Sequence, residues 1–125
     1  MSTIQTLIEQ YIRCYNQVDI DGMLECVSED VVFENVSNAG QSMRLEGKEA
    51  MRDIANLGMR AFSYRRQNIL KLICQDDSAA AEVTFTGVAA LDLPNGTKQG
   101  ETVEIHGVSL FEMRDGQLSR VADFS

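Results

Sequence analysis

Residues 11–35 read YIRCYNQVDIDGMLECVSEDVVFEN, and this stretch predicts two short amphipathic helices followed by a strand. The first helix begins upstream, because apolar side chains recur there at helical spacing and form one stripe. The stripe consists of Ile4, Leu7, Ile8, Tyr11, Ile12 and Tyr15. It includes two phenolic hydroxyls, and a buried hydroxyl needs a hydrogen-bond partner. In the strand Val31 to Val36, alternation puts Phe33 and Asn35 on one face, so we interpret the stretch as the wall of a pocket.

The sequence also contains capping signals for the first two helices and the apolar spacing of a third helix. Ser2 with Gln5 fits a capping box for the first helix, and Asp19 is the expected N-cap of the second. After a loop at residues 38–40, apolar residues at helical spacing predict a third helix over residues 48–62. Two helices therefore precede the first strand, and a third follows it.

From Tyr64 onward the pattern predicts three long strands and a short final one. Turn signals separate them at residues 76–78 (DDS), 94–96 (PNG) and 114–116 (RDG). Helices followed by an antiparallel meander predict an α+β fold. The 125 residues, 44% of them hydrophobic, are enough for one domain with a real core, so we expect a single domain over residues 1–125.

Composition excludes several partners. A net charge of −8 disfavours nucleic acid, which binds clustered Lys and Arg. The first ten residues lack a basic segment followed by an apolar run, and no apolar stretch reaches membrane-spanning length, so we expect a cytoplasmic protein without a membrane partner. Cys14, Cys26 and Cys74 are too few and too widely spaced for a disulfide framework or a zinc knuckle, and we interpret them as small buried hydrophobes.

Four motifs occur in an informative order. They are N-x-x-D-x-D-G from Asn16, EDVVFEN from Glu29, GKEAMRDI from Gly47, and GVSLFEMRDGQLSRVAD from Gly107. With the aromatic first helix, this order resembles the nuclear transport factor 2-like superfamily, which includes ketosteroid isomerase, limonene epoxide hydrolase and the SnoaL-like polyketide cyclases. The resemblance covers nearly the whole chain. It implies a cone-shaped α+β fold, with three helices packed on a curved, mainly antiparallel sheet.

The predicted strand from Val103 to Met113 carries apolar residues on both faces. Val103, Ile105, Gly107, Ser109 and Phe111 share one face, and His106, Val108 and Leu110 share the other. The resemblance implies that the chain's own helices cover one face. The other face needs cover from elsewhere, and a second copy is the simplest cover, so we expect a homodimer joined through the face of His106.

Asp123 is the main catalytic candidate. It shares a strand face with Val121, and it matches the position of a catalytic aspartate in limonene epoxide hydrolase and the SnoaL-like cyclases. A partly buried carboxyl has a raised pKa, which suits proton transfer near neutral pH. The alternative is that Asp123 is solvated or caps a backbone group.

Asn35 and Tyr11 are the other catalytic candidates. Asn35 matches the asparagine that holds the attacking water in the epoxide hydrolase and the aspartate base of the isomerase, but an amide is not a base. Tyr11 matches a phenol of the isomerase's oxyanion hole, and Ser109 aligns with the protonated aspartate that is its second donor. The alternatives are an amide that bonds to a neighbouring loop and a core aromatic with a tethered hydroxyl.

Several family catalytic residues are missing. The Arg-x-Asp pair of the epoxide hydrolase falls in the strand Glu82 to Val88, which lacks such a pair. The cyclase histidine coincides with Phe85. His106, the one histidine, lies on the opposite strand face from Ser109, which indicates an interface or surface residue. Glu34 points away from Asn35, which indicates a solvated or salt-bridged carboxylate.

Two hypotheses follow. The first is a cofactor-independent enzyme acting on a small hydrophobic, oxygen-bearing molecule, with Asp123 as general acid or base and with Tyr11 and Asn35 orienting the ligand. The expected ligand-binding residues are Tyr15, Phe33, Phe62, Val83, Phe85, Ser109 and Val121. We expect no metal, because one histidine and scattered acids do not supply convergent ligands. The second hypothesis is a binding or dimeric association domain of the same fold without chemistry.

Overall fold

A computed structural model describes residues 3–37 and 42–125 of the chain. The helices are α1 (Ile4–Asn16), α2 (Ile20–Glu25) and α3 (Lys48–Ala61). The strands are β1 (Val27–Val36), β2 (Met43–Glu46), β3 (Phe62–Gln75), β4 (Ser78–Ala89), β5 (Thr102–Arg114) and β6 (Gln117–Phe124). The strands form one sheet in the order β2-β1-β6-β5-β4-β3, in which β1 and β6 run parallel and the other neighbours run antiparallel. The predicted α+β fold, three helices on a curved and mainly antiparallel sheet, is confirmed.

The helix ends differ slightly from the prediction. Thr3 caps α1, because its Oγ1 accepts a hydrogen bond from the amide of Thr6 at 3.2 Å, while the predicted cap Ser2 lies outside the described residues. Asp19 caps α2 as predicted, accepting from the amide of Gly22 at 3.0 Å. Helix α3 ends one residue earlier than predicted, and Phe62 is already extended as the first residue of β3.

Strand β1 is longer than predicted, and β2 was not predicted. Strand β1 begins at Val27, before the polar residues Glu29 and Asp30, and its register with β6 shifts between Val27 and Val32. This irregularity explains why simple alternation locates only the second half of the strand. Strand β2 has four residues, too few for a clear alternation, and the predicted loop at residues 38–40 before it lies outside the described part of the chain.

The predicted turns at both ends of the meander are confirmed. Asp76 in the β3–β4 hairpin and Asp115 in the β5–β6 hairpin both have a φ of 54°, and Gly116 has a φ of 78°. Aspartate and glycine tolerate this left-handed region, so these residues permit two-residue hairpins between long strands. The hairpins fix the order of β3 to β6 and therefore the residues that lie side by side across the sheet.

The core lies between α1, α2 and the inner face of the sheet. Its most buried apolar side chains include Ile8, Val27, Val31, Phe111, Leu118 and Val121. Cys14 and Cys26 belong to this core, but Cys74 is exposed, so the prediction that all three cysteines are buried was wrong. Cys74 is the penultimate residue of β3, which is an edge strand of the sheet. Within the described residues, no helix is long and apolar enough to span a membrane.

Candidate functional site

Three polar side chains form a row across three neighbouring strands. Asn35 on β1 is the register partner of Asp123 on β6, which in turn is the partner of Ser109 on β5. The Oγ atom of Ser109 donates a hydrogen bond to Oδ1 of Asp123 at 2.6 Å. We call these three residues the polar row. Long-range strand pairing therefore brings together three residues that the sequence analysis singled out separately.

Two cavities meet at the polar row. The helix-side cavity, of about 340 Å³, lies between the helices and the sheet, and its lining includes Tyr11, Phe33, Met51, Ile54, Leu57 and Arg65. The aromatic cavity, of about 270 Å³, is lined by residues that include Phe62, Val83, Phe85, Ile105, Ser109 and Phe124. Both cavities are also lined by Tyr15, Asn35, Gln67 and Asp123. Asp123 therefore lies where the two cavities adjoin.

The electrostatic surroundings of Asp123 favour its neutral form. Burial raises the pKa of this carboxyl, and the hydrogen bond from Ser109 opposes the rise. The residue keeps some accessible surface, and because it lines both cavities, this surface faces them. A carboxyl in such a setting is suited to exchanging a proton with a molecule in either cavity.

Two tyrosines of α1 lie near Asp123. Tyr11 is 5% exposed, and its ring meets that of Phe111 edge to face, with the ring centres 6.3 Å apart. Burial raises the pKa of Tyr11 well above its usual value, and the charge of Asp123 raises it further. Burial also raises the pKa of Tyr15, an effect that Arg65 opposes. Both phenols therefore remain protonated at neutral pH and can donate hydrogen bonds.

The expected apolar lining is only partly found in the cavities. Phe33 lines the helix-side cavity, and Phe62, Val83 and Phe85 line the aromatic cavity. The rings of Phe62 and Phe85 meet edge to face at 5.2 Å between centres. Val121 lines neither cavity, since it is 1% exposed within the core. It shares the strand face of Asp123, but it lies two residues nearer the start of β6, where it packs in the core with side chains of helix α1.

Sequence reasoning missed two polar residues of the cavities, Arg65 and Gln67. Both lie on the inner face of β3, where Arg65 and Gln67 alternate with the exposed Tyr64 and Arg66. Polar residues occur on both faces of this segment, so alternation gave no signal of which face is inside. The one sequence signal for a polar environment was that this strand begins with polar residues and continues with apolar ones.

Asn16 also has a role that the sequence did not reveal. Its Nδ2 donates to the carbonyl of Gln67 at 2.9 Å, and its Oδ1 accepts from the amide of Gln67 at 2.7 Å. This pair of hydrogen bonds joins the end of α1 to β3. It holds Tyr15, the preceding residue, against the cavity that Gln67 lines.

The other charged candidates lie outside the cavities. Nε2 of His106 contacts Oε2 of Glu82 at 2.6 Å on the exposed face of the sheet, and Nε of Arg120 donates to Glu34 at 2.8 Å. These positions agree with the surface and salt-bridge roles expected for His106 and Glu34. Across residues 3–37 and 42–125, no group of three histidine, cysteine or acidic side chains converges as a metal site would require.

Comparison with known proteins identifies the family. The model of the SnoaL-like domain matches residues 8–121, so the chain belongs to the SnoaL-like domain family. The predicted membership of the nuclear transport factor 2-like superfamily is thereby confirmed. Comparison with curated protein sequences gives no match.

Solved structures with this fold carry different descriptions. A candidate polyketide cyclase from Pseudomonas putida is similar with a TM-score of 0.80 and 25% identity, over 100% of this chain and 92% of that one. An LEH-like epoxide hydrolase from M. tuberculosis is similar with a TM-score of 0.77 and 17% identity, over 97% and 80% of the two chains. A candidate ketosteroid isomerase from Kribbella flavida has a TM-score of 0.71 and 22% identity, over 97% and 76%. Since one fold carries several activities, the activity must be argued from the site.

Proposed function

We propose that the protein catalyses proton transfer on a small apolar molecule that carries a ketone or phenol oxygen, with Asp123 as the general acid or base. The observation that supports this most strongly is the position of Asp123, a carboxyl with a raised pKa that lines two adjoining cavities. The similarity to a candidate polyketide cyclase supports the same substrate class. The reaction needs no cofactor, because the proton passes directly between Asp123 and the substrate.

The proposed step is the removal of a proton from a carbon next to a carbonyl. The ionised carboxylate of Asp123 accepts this proton, the C–H bond breaks, and its electron pair forms an enolate whose charge lies mainly on the oxygen. Tyr11 donates a hydrogen bond to that oxygen, since its pKa keeps it protonated. The protonated Asp123 then returns the proton to the same or another carbon, which regenerates the carboxylate.

Asn35 and Ser109 have supporting roles in this proposal. Ser109 donates to Oδ1 of Asp123, which leaves the other carboxylate oxygen for the substrate. Asn35 lies beside Asp123 on the neighbouring strand, and its amide orients a substrate oxygen or a water molecule. The aromatic side chains of Phe62 and Phe85 hold the apolar part of the substrate.

The second candidate function is ligand binding without chemistry. It is favoured by the incomplete catalytic sets, since Asn35 replaces the isomerase's base and Phe85 stands where the cyclases have a histidine. In this case the same cavities would bind the same class of molecule, and Asp123 would only hydrogen-bond to it.

Hydrogen exchange into a ketone distinguishes the two functions without knowledge of the natural substrate. β-Tetralone has an acidic C–H next to its carbonyl, and uptake of deuterium from heavy water is measured by NMR. We expect the wild type to accelerate the exchange and Asp123→Asn to lose about a hundred-fold or more of that acceleration. Asp115→Asn, which changes an exposed aspartate in the β5–β6 turn, is the matched control and should keep it. Equal rates in wild type and Asp123→Asn would refute the catalytic proposal.

A further inference from the structure

Arg65 is a buried cation beside the helix-side cavity. It is 7% exposed, and of the described residues that are buried and polar, namely Ser28, Arg65 and Ser109, it is the one with a charge. The cavity that it lines is also lined by Tyr11, Asn35 and Asp123. A guanidinium stays protonated in proteins, so the cavity wall carries a permanent positive charge.

This charge has no carboxylate partner in the described part of the chain. The Nε and Nη2 atoms of Arg65 are fully buried and have no hydrogen-bond acceptor. None of the ion pairs between described residues includes Arg65. Asp123 lines the same cavity, but its hydrogen bond comes from Ser109. A buried cation without an ion-pair partner is costly, so an anion bound beside Arg65 would be stabilising.

The surrounding residues hold the guanidinium in place. Its central carbon lies 4.1 Å from the centre of the Tyr15 ring, a cation–π contact. On α3, a Cβ atom at Gly58 would come within 3.1 Å of Nη1, so the missing side chain of this glycine leaves room for Arg65. A glycine within a helix is less stable than an alanine, so its presence here needs a structural reason. The ring of Tyr15 and the space left by Gly58 therefore fix the position of Arg65.

We propose that Arg65 is the anion-binding residue of the helix-side cavity, and that the ligand carries a carboxylate or a similarly acidic oxygen group at one end. Nε and Nη2 lie on one edge of the guanidinium, and this edge matches the two oxygens of a carboxylate. Because both atoms are fully buried, the side chain must rotate when the ligand binds so that this edge faces the cavity. This inference rests on the proposed function, because it assumes that the cavities bind the substrate.

An acidic group bound at Arg65 would also fix the orientation of the ligand. Arg65 lines only the helix-side cavity, the phenylalanine pair Phe62 and Phe85 lines only the aromatic cavity, and Asp123 lines both. A ligand with its acidic group at Arg65 and its apolar part between the two rings therefore spans both cavities. Its central atoms then lie next to Asp123, where the proton transfer is proposed.

A matched pair of probes tests the inference. Naphthoate and naphthamide have nearly the same shape, but only naphthoate is charged at neutral pH. We expect titration calorimetry to show that the wild type binds naphthoate about tenfold or more tightly than naphthamide. Arg65→Met, which keeps length and apolar volume, should abolish this preference while naphthamide still binds. Arg66→Met removes a charge from the exposed face of the same strand and should leave the preference unchanged.

The remaining outcomes separate this inference from the proposed function. Binding of both probes with equal affinity by the wild type, or an unchanged preference in Arg65→Met, overturns the role of Arg65 and leaves the apolar cavities intact. Binding of neither probe overturns the ligand site itself, and the proposed function with it. If Arg65→Met does not fold by circular dichroism, Arg65→Gln removes the charge with a polar side chain, and the same loss of preference is expected.

Discussion

Replacement of Gly107 by alanine tests how the end of the chain closes over the site. Gly107 lies on the inner face of β5 and lines the aromatic cavity. A Cβ atom there would lie 2.3 Å from the carbonyl oxygen of Phe124 and 3.3 Å from its carbonyl carbon. The backbone of Phe124 is held by its neighbours, because Phe124 pairs with Val108 and the amide of Ser125 donates to the carbonyl of Val36 at 3.0 Å.

The expected effect follows from this contact. The φ angle of Gly107 is outside the left-handed region, so the cost of alanine comes from the clash with Phe124 and not from backbone strain. The carbonyl of Phe124 must retreat by about 1 Å to reach ordinary van der Waals contact. Overpacking of this kind costs about 1–3 kcal/mol. Alanine also lowers the conformational entropy of the unfolded chain, which stabilises the folded state by about 0.4–1 kcal/mol. The free energy of unfolding should therefore fall, by about 1.3 kcal/mol at the middle of these ranges and by about 2.6 kcal/mol at most.

Urea unfolding of Gly107→Ala measures this loss directly. Thr102→Ala, at the exposed start of the same strand, is the control and should change the free energy of unfolding by less than about 0.5 kcal/mol. Because Phe124 follows Asp123, the displacement should also reduce the deuterium exchange of β-tetralone. A Gly107→Ala variant with wild-type stability and wild-type exchange would show that Phe124 does not lie over Gly107 as described.

Three further predictions concern the interface, the α1–β3 junction and the pH dependence of stability. Val108 is 44% exposed on the outer sheet face, so Val108→Asp should convert a dimer to monomers in sedimentation, and a wild-type monomer at micromolar concentration would refute the dimer. Asn16→Ala leaves the amide and carbonyl of Gln67 unpaired and should lower the free energy of unfolding by about 1–3 kcal/mol; unchanged urea unfolding would contradict the role of Asn16. Burial raises the pKa of Asp123 in the folded state, so its contribution to stability is full below the ordinary value of 3.8 and is lost as pH rises through the folded pKa. Wild type should therefore lose stability relative to Asp123→Asn over that range, and a constant difference would contradict the raised pKa.

Local sequence patterns were sufficient to predict the elements and the faces of the strands. Helical spacing located α1 and α3 to within one residue at most ends, and alternation put Ser109 and Phe111 on the buried face of β5. These features depend on neighbours within a few residues, which a sequence displays directly. Val121 shows the limit, because alternation gives its face but not its depth in the core.

The assembly of the site could not be derived from local pattern. Asn35, Ser109 and Asp123 are adjacent only because β1 and β6 pair in parallel with one particular register, and β1 and β6 are far apart in the sequence. The family resemblance supplied these residues as candidates, while the register brings them together. Arg65 was missed for a physical reason, since its strand has polar residues on both faces and its burial depends on Tyr15 and on the space left by Gly58.

The pH profile of β-tetralone exchange tests most directly whether Asp123 exchanges protons with a molecule in the cavities. If Asp123 is the base, the rate should rise with pH as this carboxyl ionises, with an inflection above the ordinary value of 3.8, because burial raises the pKa of Asp123. Ser109 donates to Oδ1 at 2.6 Å and favours the charged form, so Ser109→Ala should move the inflection to higher pH. An inflection that shifts upward in Ser109→Ala, and a rate lost in Asp123→Asn, is the result we predict. A profile that is the same in wild type and Ser109→Ala would contradict the assignment of the titrating group to Asp123.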